Sequence, residues 1–532
     1  MTRLARAGRA TVAVVSGLAV VGVLGATAAV GDQWVGRWTG ATQAALDAGT
    51  REVPVEPAEL PAVCPPPVRL PDGADVGDEQ FDAAPVRTRT TLGAAVAGAT
   101  ELPGLTALDG SGEESLTEGT GAAVASGPVD GVRVLRAQPS AVDPLRASAA
   151  VASLTTAGDL RGLAAASCAT PSTSHWLVGG SSEVGASALL AVQNPSPRPA
   201  SVALEVFGPS GRVAVGGQSA FTVAPGEQVV TRLDSLAPEQ RRLAVHVRAT
   251  GARVTTSLQS QGIDGLVPAG TDLVEAGAAP TTTLAVSGVL SRGEATDDDH
   301  AATMWLLAPD EPGTADVRVY GPDGRVTLRG AEEVPLAAGD VVGVPLGGLE
   351  PGAYTVVVDA DVPVVGAARF AVPGALGEDA VVEGTPFDVA WSAGRAVGAP
   401  DEPASGQVAL PGGADGATLV LAGVPADRGA DDAPDGEVVA TVRGLGEDGA
   451  VAAEREVTVP VGGTVELPAA DVGAVTAVTV DTEATGDASL AWSVRLTAAD
   501  AADTADALVA TLDPTPTVVA PGSVAVRRID AW

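Results

Sequence analysis

A strand followed by the same glycine-bounded turn occurs twice in this sequence, and this repeat limits the chain to a β-rich fold. Residues 202–207 lead into Gly-Pro-Ser-Gly-Arg-Val at 208–213, and residues 317–320 lead into Gly-Pro-Asp-Gly-Arg-Val at 321–326. A weaker third copy covers residues 438–451. Each copy alternates apolar and polar residues before it turns, and this pattern predicts half-buried strands.

Composition and spacing refine this prediction. Aromatic residues make up only 3% of the chain, whereas there are 66 Gly and 40 Pro, which suits short strands and many turns. Strands in units of about 100 residues are typical of immunoglobulin or fibronectin type III modules. We therefore expect an all-β fold of tandem β-sandwiches, with a first region at 61–275, a second at 276–385, and a third with a C-terminal tail at 386–532.

The N-terminus has the features of a membrane anchor. In the first 31 residues, three arginines precede Ala10–Val30, which contains no charged residue. As a helix this segment would be roughly 31 Å long, close to the ~30 Å hydrocarbon core of a bilayer. The preceding arginines predict a cytoplasmic N-terminus and an extracytoplasmic bulk. Trp34 and Trp38 follow where aromatic side chains lie at a membrane interface.

A cleaved signal peptide is the alternative interpretation of this segment. Ala26-Thr27-Ala28 fits a small-residue cleavage site, although the apolar region is long for a signal peptide. The protein would then be secreted rather than anchored. In either case residues 32–60, which include a Pro- and Glu-rich run, read as a stalk that leads to the folded part.

The two cysteines, Cys64 and Cys168, indicate a disulfide. No C-x-x-C pair is present that would bind zinc or exchange electrons. Outside the cytoplasm two lone cysteines usually pair, and a loop of this length would stabilise the fold by up to about 4.7 kcal/mol. Two independent buried thiols remain the alternative.

Charge and missing residue types argue against several functions. The formal charge of −35 disfavours binding to nucleic acid. The chain contains no lysine, so P-loop and Schiff-base chemistry have no candidate residue. It also has neither a G-x-S-x-G nor an H-E-x-x-H motif. We therefore expect no enzyme activity, no catalytic residue and no cofactor.

The weaker candidates for chemistry have simple structural explanations. The histidines are His175, His246 and His300, and the last follows Asp297-Asp-Asp299, a pairing that could hold a divalent cation. Because consecutive loop residues rarely converge on one ion, we expect a solvated acidic loop and no metal. A G-x-G-x-x-G match at 444–449 lies at the repeat's turn position, so we interpret it as a hairpin. An acidic cluster that could suggest calcium lacks the EF-hand spacing; it contains Asp427, Asp431, Asp432, Asp435 and Glu437.

The stretches at 168–180, 189–195 and 200–204 resemble a family of actinobacterial proteins known as a domain of unknown function. Its members look like large, N-terminally anchored, secreted proteins. The likeness is most specific across roughly 131–270 and implies location and architecture, not activity. The resemblance implies no catalytic residue. It implies only that four residues belong to a structural core: Cys168, Trp176, Gly179 and Gly180.

These observations predict a non-catalytic cell-envelope protein that binds or scaffolds through β-sandwich modules. Its partners would be the cytoplasmic membrane, through Ala10–Val30, and wall polysaccharide or another envelope protein. Trp305, Trp391 and Trp492 are candidates for stacking on sugars, although a Trp on a sandwich strand more often belongs to the core. An accessory subunit of an envelope-glycan assembly enzyme is the alternative, and an extracytoplasmic hydrolase is a remote one.

Overall fold

The computed structural model describes residues 50–54, 57–70, 88–377, 383–428, 436–520 and 523–527. The chain divides into two compact units, one of residues 1–57 with 521–532 and one of residues 58–520. In the first unit β1 (Thr50–Pro54) pairs antiparallel with the strand Ser523–Arg527. The predicted anchor Ala10–Val30, with Trp34 and Trp38, lies outside the described residues. Within the described residues no helix is long and apolar enough to cross a membrane.

Residues 58–520 form an all-β body, as the alternating sequence pattern predicts. Its strands fall into four successive groups along the chain, and the strands of each group lie in two sheets or, in the third group, in two parts of one nine-stranded sheet. Each group contributes most of the residues of one hydrophobic cluster. We call these groups pairs A to D. The domain boundaries predicted at 61–275, 276–385 and 386–532 stay predictions.

Pair A has the sheet orders β2-β7-β4-β5 and β6-β3-β8-β9. Its strands are β2 (Leu60–Val63), β3 (Thr88–Ala97), β4 (Gly104–Ala107), β5 (Glu114–Ser115), β6 (Ala123–Pro128), β7 (Arg133–Ala137), β8 (Arg146–Thr155) and β9 (Gly162–Ser167). A disulfide joins Cys64, just after β2, to Cys168, just after β9, and both residues are buried. The predicted pairing of the two cysteines is therefore confirmed.

Pair B has the orders β10-β16-β12-β13, with β14 also on β12, and β15-β11-β17-β18. Its strands are β10 (Ser174–Val178), β11 (Ala186–Gln193), β12 (Ala200–Gly208), β13 (Gly211–Val213), β14 (Ala220–Val223), β15 (Gln228–Arg232), β16 (Ala244–Thr250), β17 (Thr255–Asp264) and β18 (Val267–Val274). A 3-10 turn, Gly216–Gln218, and the short helix α1 (Leu233–Leu236) lie in its connections.

Pair C is built around β25, which runs for 22 residues and belongs to both parts of the sheet. Its first half pairs with β19 and β21, and its second half pairs with β20 and β26. The strands are β19 (Thr281–Ser291), β20 (Thr303–Leu307), β21 (Gly313–Gly321), β22 (Gly324–Val326), β23 (Val334–Leu336), β24 (Val341–Pro345), β25 (Gly352–Pro373), β26 (Phe387–Ala393) and β27 (Arg395–Ala396).

Pair D has the orders β31-β30-β33-β28-β36 and β32-β29-β34-β35. Its strands are β28 (Ser405–Ala409), β29 (Gly416–Pro425), β30 (Glu437–Leu445), β31 (Val451–Pro460), β32 (Thr464–Pro468), β33 (Ala477–Thr482), β34 (Ala488–Ala498), β35 (Leu508–Leu512) and β36 (Thr515–Pro516). A 3-10 turn, Ala469–Val472, precedes β33.

The repeat that predicts strands also predicts their turns correctly. In pair B, Gly208 pairs with Gly211 across the Pro-Ser turn, and in pair C, Gly321 pairs with Gly324 across the Pro-Asp turn. The second glycine of each turn has φ near +100°, a backbone region in which a Cβ atom is strained. The G-x-G-x-x-G segment joins β30 to β31, so its interpretation as a hairpin is confirmed.

Each pair touches the next through side chains that bond to a neighbour's backbone. Gln193 of pair B donates to the Cys64 carbonyl of pair A at 3.2 Å. Arg242 of pair B donates to the Val341 carbonyl of pair C at 2.9 Å, and Ser287 of pair C donates to the Val420 carbonyl of pair D at 3.1 Å. Gln407 of pair D donates to the Ala95 carbonyl of pair A at 2.8 Å, so the contacts return to the first pair.

Candidate functional site

Four edge strands, one from each pair, meet in the interior of the body, and we call this meeting point the junction. The strands are β9, β18, β26 and β35, and each pairs along only one side within its own sheet. β9 contacts β18 and β35, and β26 contacts the same two strands. An edge strand presents unpaired backbone donors and acceptors, which cost free energy when they are buried without partners.

Two buried carboxylates satisfy the backbone donors at the junction. Asp272, on β18, accepts the N–H of Ala165 on β9 at 3.3 Å and the N–H of Trp391 on β26 at 2.8 Å. Its side chain therefore links three pairs. Backbone hydrogen bonds in a sheet join only neighbouring strands of that sheet. A link between strands of different sheets must therefore come from a side chain, here that of Asp272.

Asp388, on β26, makes the complementary set of bonds. It accepts the N–H groups of Leu163 on β9 at 3.0 Å, Val509 on β35 at 2.8 Å and Thr271 on β18 at 3.4 Å. Asp272 and Asp388 together thus tie the edges of all four pairs. Gly162 is the first residue of β9. A Cβ atom at this position would lie only 2.7 Å from the carboxylate of Asp388, so the close approach requires glycine.

Ion pairs lie on either side of the two central carboxylates. Arg395 on β27 donates to Asp513 at 2.6 Å and to Glu275 at 3.0 Å, and Glu275 also accepts the Ser167 N–H at 2.7 Å. Elsewhere Arg161 donates to Asp500 at 2.9 Å, and the side chains of both residues are almost completely buried. These arginines are therefore paired with carboxylates, which offsets part of the cost of removing the charges from water.

Burial is the main cause of the pKa shifts of Asp272, Asp388 and Glu275. It raises the pKa of Asp388 to about 6, because the loss of water outweighs the backbone N–H bonds that favour the anion. It raises the pKa of Asp272 well above its ordinary value, and the nearby Asp388 adds to this shift. Burial and the neighbouring Asp513 raise the pKa of Glu275 to about 8, despite the attraction of Arg395.

Two of the three histidines, His175 and His300, make contacts that have a structural role. The ring of His175 bonds through Nε2 to the Val254 carbonyl at 2.8 Å, and burial lowers its pKa. His300 stacks on Phe387 with ring centroids 3.6 Å apart, and its Nδ1 lies 3.3 Å from Asp298. Among the described residues no group of three or more His, Cys, Asp or Glu side chains is placed to hold a metal ion.

The third histidine belongs to a cluster that sequence reasoning missed. His246 on β16 bonds through Nε2 to the hydroxyl of Ser174 on β10 at 2.9 Å, and through Nδ1 to Glu205 on β12 at 3.0 Å. The three residues come from three adjacent strands of one sheet. No local motif joins them, and the only signal is the register of β10, β16 and β12, which the sequence does not specify.

The tryptophans considered for sugar stacking belong to the core. Trp305, Trp391 and Trp492 are each less than a tenth exposed. Trp305 packs edge to face on Trp391, with centroids 4.6 Å apart. The idea that they stack on sugars at the surface is therefore wrong, and the alternative of a core role is correct. A strand Trp is buried here because its large apolar surface fills the space between sheets that are otherwise rich in Ala and Val.

A groove of about 550 Å³ lies between pairs A and D. Arg146 lies along it and donates to both oxygens of Asp481, at 2.8 and 3.0 Å. Three residues of the acidic cluster considered as a calcium site, Asp431, Asp432 and Asp435, lie outside the described residues.

The comparisons with known proteins identify the chain at the level of its family. No curated protein matches it. The model of DUF5719, described as a family of unknown function, matches residues 123–470, a span that runs from β6 of pair A to the 3-10 turn of pair D. Because this match covers well over half of the sequence, the chain belongs to the DUF5719 family, a family of unknown function.

Proposed function

We propose that this chain is a non-catalytic, extracytoplasmic protein of the cell envelope that binds or scaffolds other envelope components. In this proposal its paired sheets are β-sandwich modules of the immunoglobulin or fibronectin kind. The junction is the observation that carries the proposal. Because Asp272 and Asp388 bond to the edge strands of all four pairs, the modules are held in fixed relative positions. A scaffold needs such fixed positions.

The disulfide supports the proposed compartment. Cys64 and Cys168 are joined, and disulfides persist mainly in proteins that lie outside the cytoplasm. The uncharged segment Ala10–Val30, preceded by arginines, supports a single-pass anchor with the body outside. Trp34 and Trp38 would lie at the membrane interface. Protease added to intact spheroplasts should therefore digest the body, and protection of the body would contradict this location.

The burial of three tryptophans bears on the kind of partner. Since Trp305, Trp391 and Trp492 are core residues, they supply no surface for stacking on wall polysaccharide. The second candidate, an accessory subunit of an envelope-glycan assembly enzyme, acts through protein contacts and needs no such surface.

The test uses the full chain, cross-linked in intact cells and purified in detergent. We expect one membrane protein to be recovered in fixed ratio with the wild type and with Asp297→Ala, which removes an exposed carboxylate that is not one of the junction residues. The double substitution Asp272→Ala with Asp388→Ala should lower this recovery several-fold while the disulfide stays intact. Unchanged recovery with the double variant would contradict a role for the fixed arrangement. Recovery of wall polysaccharide without protein would overturn the accessory-subunit form.

A further inference from the structure

Ser174, His246 and Glu205 form a continuous hydrogen-bonded relay on one face of the pair B sheet. The Ser174 hydroxyl lies 2.9 Å from Nε2 of His246, and Nδ1 of His246 lies 3.0 Å from Glu205. The strand register places His246 directly opposite Glu205 on β12, and Ser174 is diagonal to it on β10. This order of hydroxyl, imidazole and carboxylate is the one that activates a serine nucleophile.

The carboxylate fixes the tautomer of the histidine. A carboxylate accepts a hydrogen bond, so Nδ1 carries the proton and Nε2 is left to accept the hydroxyl proton of Ser174. Arg212 and Arg248 both donate to the other oxygen, Oε1, of Glu205, and this leaves Oε2 for the imidazole. The ring cannot turn freely, because it stacks on Trp176 with centroids 3.9 Å apart and planes tilted by 9°.

The pKa of His246 also suits a group that accepts the proton of the Ser174 hydroxyl. Burial lowers the pKa of His246 from its ordinary value of 6.5, and the bond to Glu205 only partly offsets this effect. The charged and titratable groups that face it are Glu205 on β12, Arg212 on β13, Arg248 on β16 and His175 on β10. The lowered pKa favours the neutral imidazole, which is the form able to take a proton.

The serine is accessible although its partners are not. The side chain of His246 is 10% exposed and that of Glu205 is 15% exposed. Ser174, in contrast, is an exposed residue at the start of β10, which is an edge strand of its sheet. An electrophile can therefore reach the hydroxyl from solvent while the base behind it stays shielded.

We propose that Ser174 is an activated nucleophile that accepts acyl groups from carboxylic esters. Its oxygen bonds to the acyl carbon as His246 Nε2 takes the hydroxyl proton. The ester's carbon–oxygen bond then breaks, and His246 returns the proton to the departing alcohol. The products are an acylated Ser174 and a free alcohol, with no oxidant or cofactor required. This transfer is a single acylation of the chain itself, without turnover; it goes beyond the proposed non-catalytic scaffold role and does not depend on it.

The test is covalent labelling of the full chain in detergent by an alkyl fluorophosphonate, in which Ser174 attacks phosphorus and fluoride leaves. Mass spectrometry should place about one label per chain on Ser174. Ser174→Ala should abolish the label, and His246→Gln should slow it at least ten-fold. Ser235→Ala is the matched control, because Ser235 is exposed and bonds only to a backbone carbonyl in the described structure; its labelling rate should equal that of the wild type.

The pH profile separates activation from a structural role. The labelling rate of the wild type should rise with pH through a midpoint below 6.5, since the neutral imidazole is the active form. His246→Gln should remove this inflection, and Glu205→Gln should move it to lower pH, because Glu205 is a positioning residue that stabilises the protonated ring. Labelling with p-nitrophenyl acetate should release about one equivalent of nitrophenolate per chain. Equal labelling of the wild type and a folded His246→Gln variant, or no labelling of the folded wild type, would overturn the proposal.

Discussion

At the residue scale, the junction depends on carboxylates that take the place of missing strand neighbours. A backbone N–H on an edge strand normally needs another strand or water as its partner. Asp388 supplies acceptors to three such groups and Asp272 to two. The two side chains are almost fully buried, so their bonds are made away from water, where an unpaired donor costs most.

Asp388→Asn should reduce the pH dependence of stability. A pKa raised to about 6 means that the folded state holds a proton that the unfolded state has lost, so the stability from Asp388 is complete below pH 4 and is lost as pH rises through 6. A shift of about two units corresponds to about 3 kcal/mol. Chemical denaturation at pH 4, 5, 6 and 7 should show the wild type losing its advantage over the variant across this range. A constant difference would contradict the prediction.

Gly162→Ala should destabilise the fold by about 1–3 kcal/mol, because the new methyl group would meet the Thr271 backbone at 2.6 Å and Asp388 at 2.7 Å. Gly127→Ala is the control, since Gly127 is also a strand glycine and a Cβ atom there meets nothing within 4 Å. The free energy of unfolding of both variants would be measured in urea. Equal effects would show that the close approach at β9 is unimportant.

At the element scale, short-range rules explain the strands and their turns. β12 buries every second residue along most of its length, as its alternating sequence predicts. The paired glycines place β13 and β22 in the same register against β12 and β21. The disulfide acts at this scale too, because it holds the end of β2 against the end of β9, a strand of the junction.

Reduction of the disulfide, or the double substitution Cys64→Ser with Cys168→Ser, should lower the free energy of unfolding by up to about 4.7 kcal/mol. The cysteines lie 104 residues apart, so the bond restricts a long loop of the unfolded chain. The unreduced, denatured protein should take up no thiol reagent, and two thiols per chain should react after reduction. Labelling of both positions before reduction would contradict the disulfide.

At the scale of the whole molecule, the described body is one compact unit although it contains four separate sheet pairs. Contacts run from each pair to the next and from pair D back to pair A. The junction adds bonds among all four. Stability at this scale is therefore shared, and no pair is expected to unfold independently of the others.

The body of the wild-type chain should accordingly unfold in one calorimetric transition. Asp272→Ala with Asp388→Ala should divide it into at least two, because each hydrophobic cluster is drawn mostly from one pair, whereas the bonds between the strand edges are lost. Asp297→Ala with Asp299→Ala, which removes two exposed carboxylates and leaves Asp298 in contact with His300, should leave a single transition. Two transitions in the wild type, or one in the junction variant, would contradict shared stability.

The candidate sites were not predictable, for a physical reason that particular residues make clear. Asp388 bonds to Leu163, which lies 225 residues earlier, and Ser174 lies 72 residues before His246. In the sequence Asp388 is one polar residue in an alternating strand, and nothing local separates it from a solvent-facing carboxylate. The distinction appears only when four sheet edges meet around it.

The sequence by itself determined the all-β class, the repeated glycine hairpins and the pairing of the two cysteines. Period-two alternation and turn chemistry act over a few residues, and two cysteines allow only one intramolecular pairing. Tertiary structure alone decided that Trp305, Trp391 and Trp492 lie in cores, that Asp272 and Asp388 join four sheet pairs, and that His246 lies between Ser174 and Glu205. These arrangements depend on packing between distant segments, which local patterns along the chain do not encode.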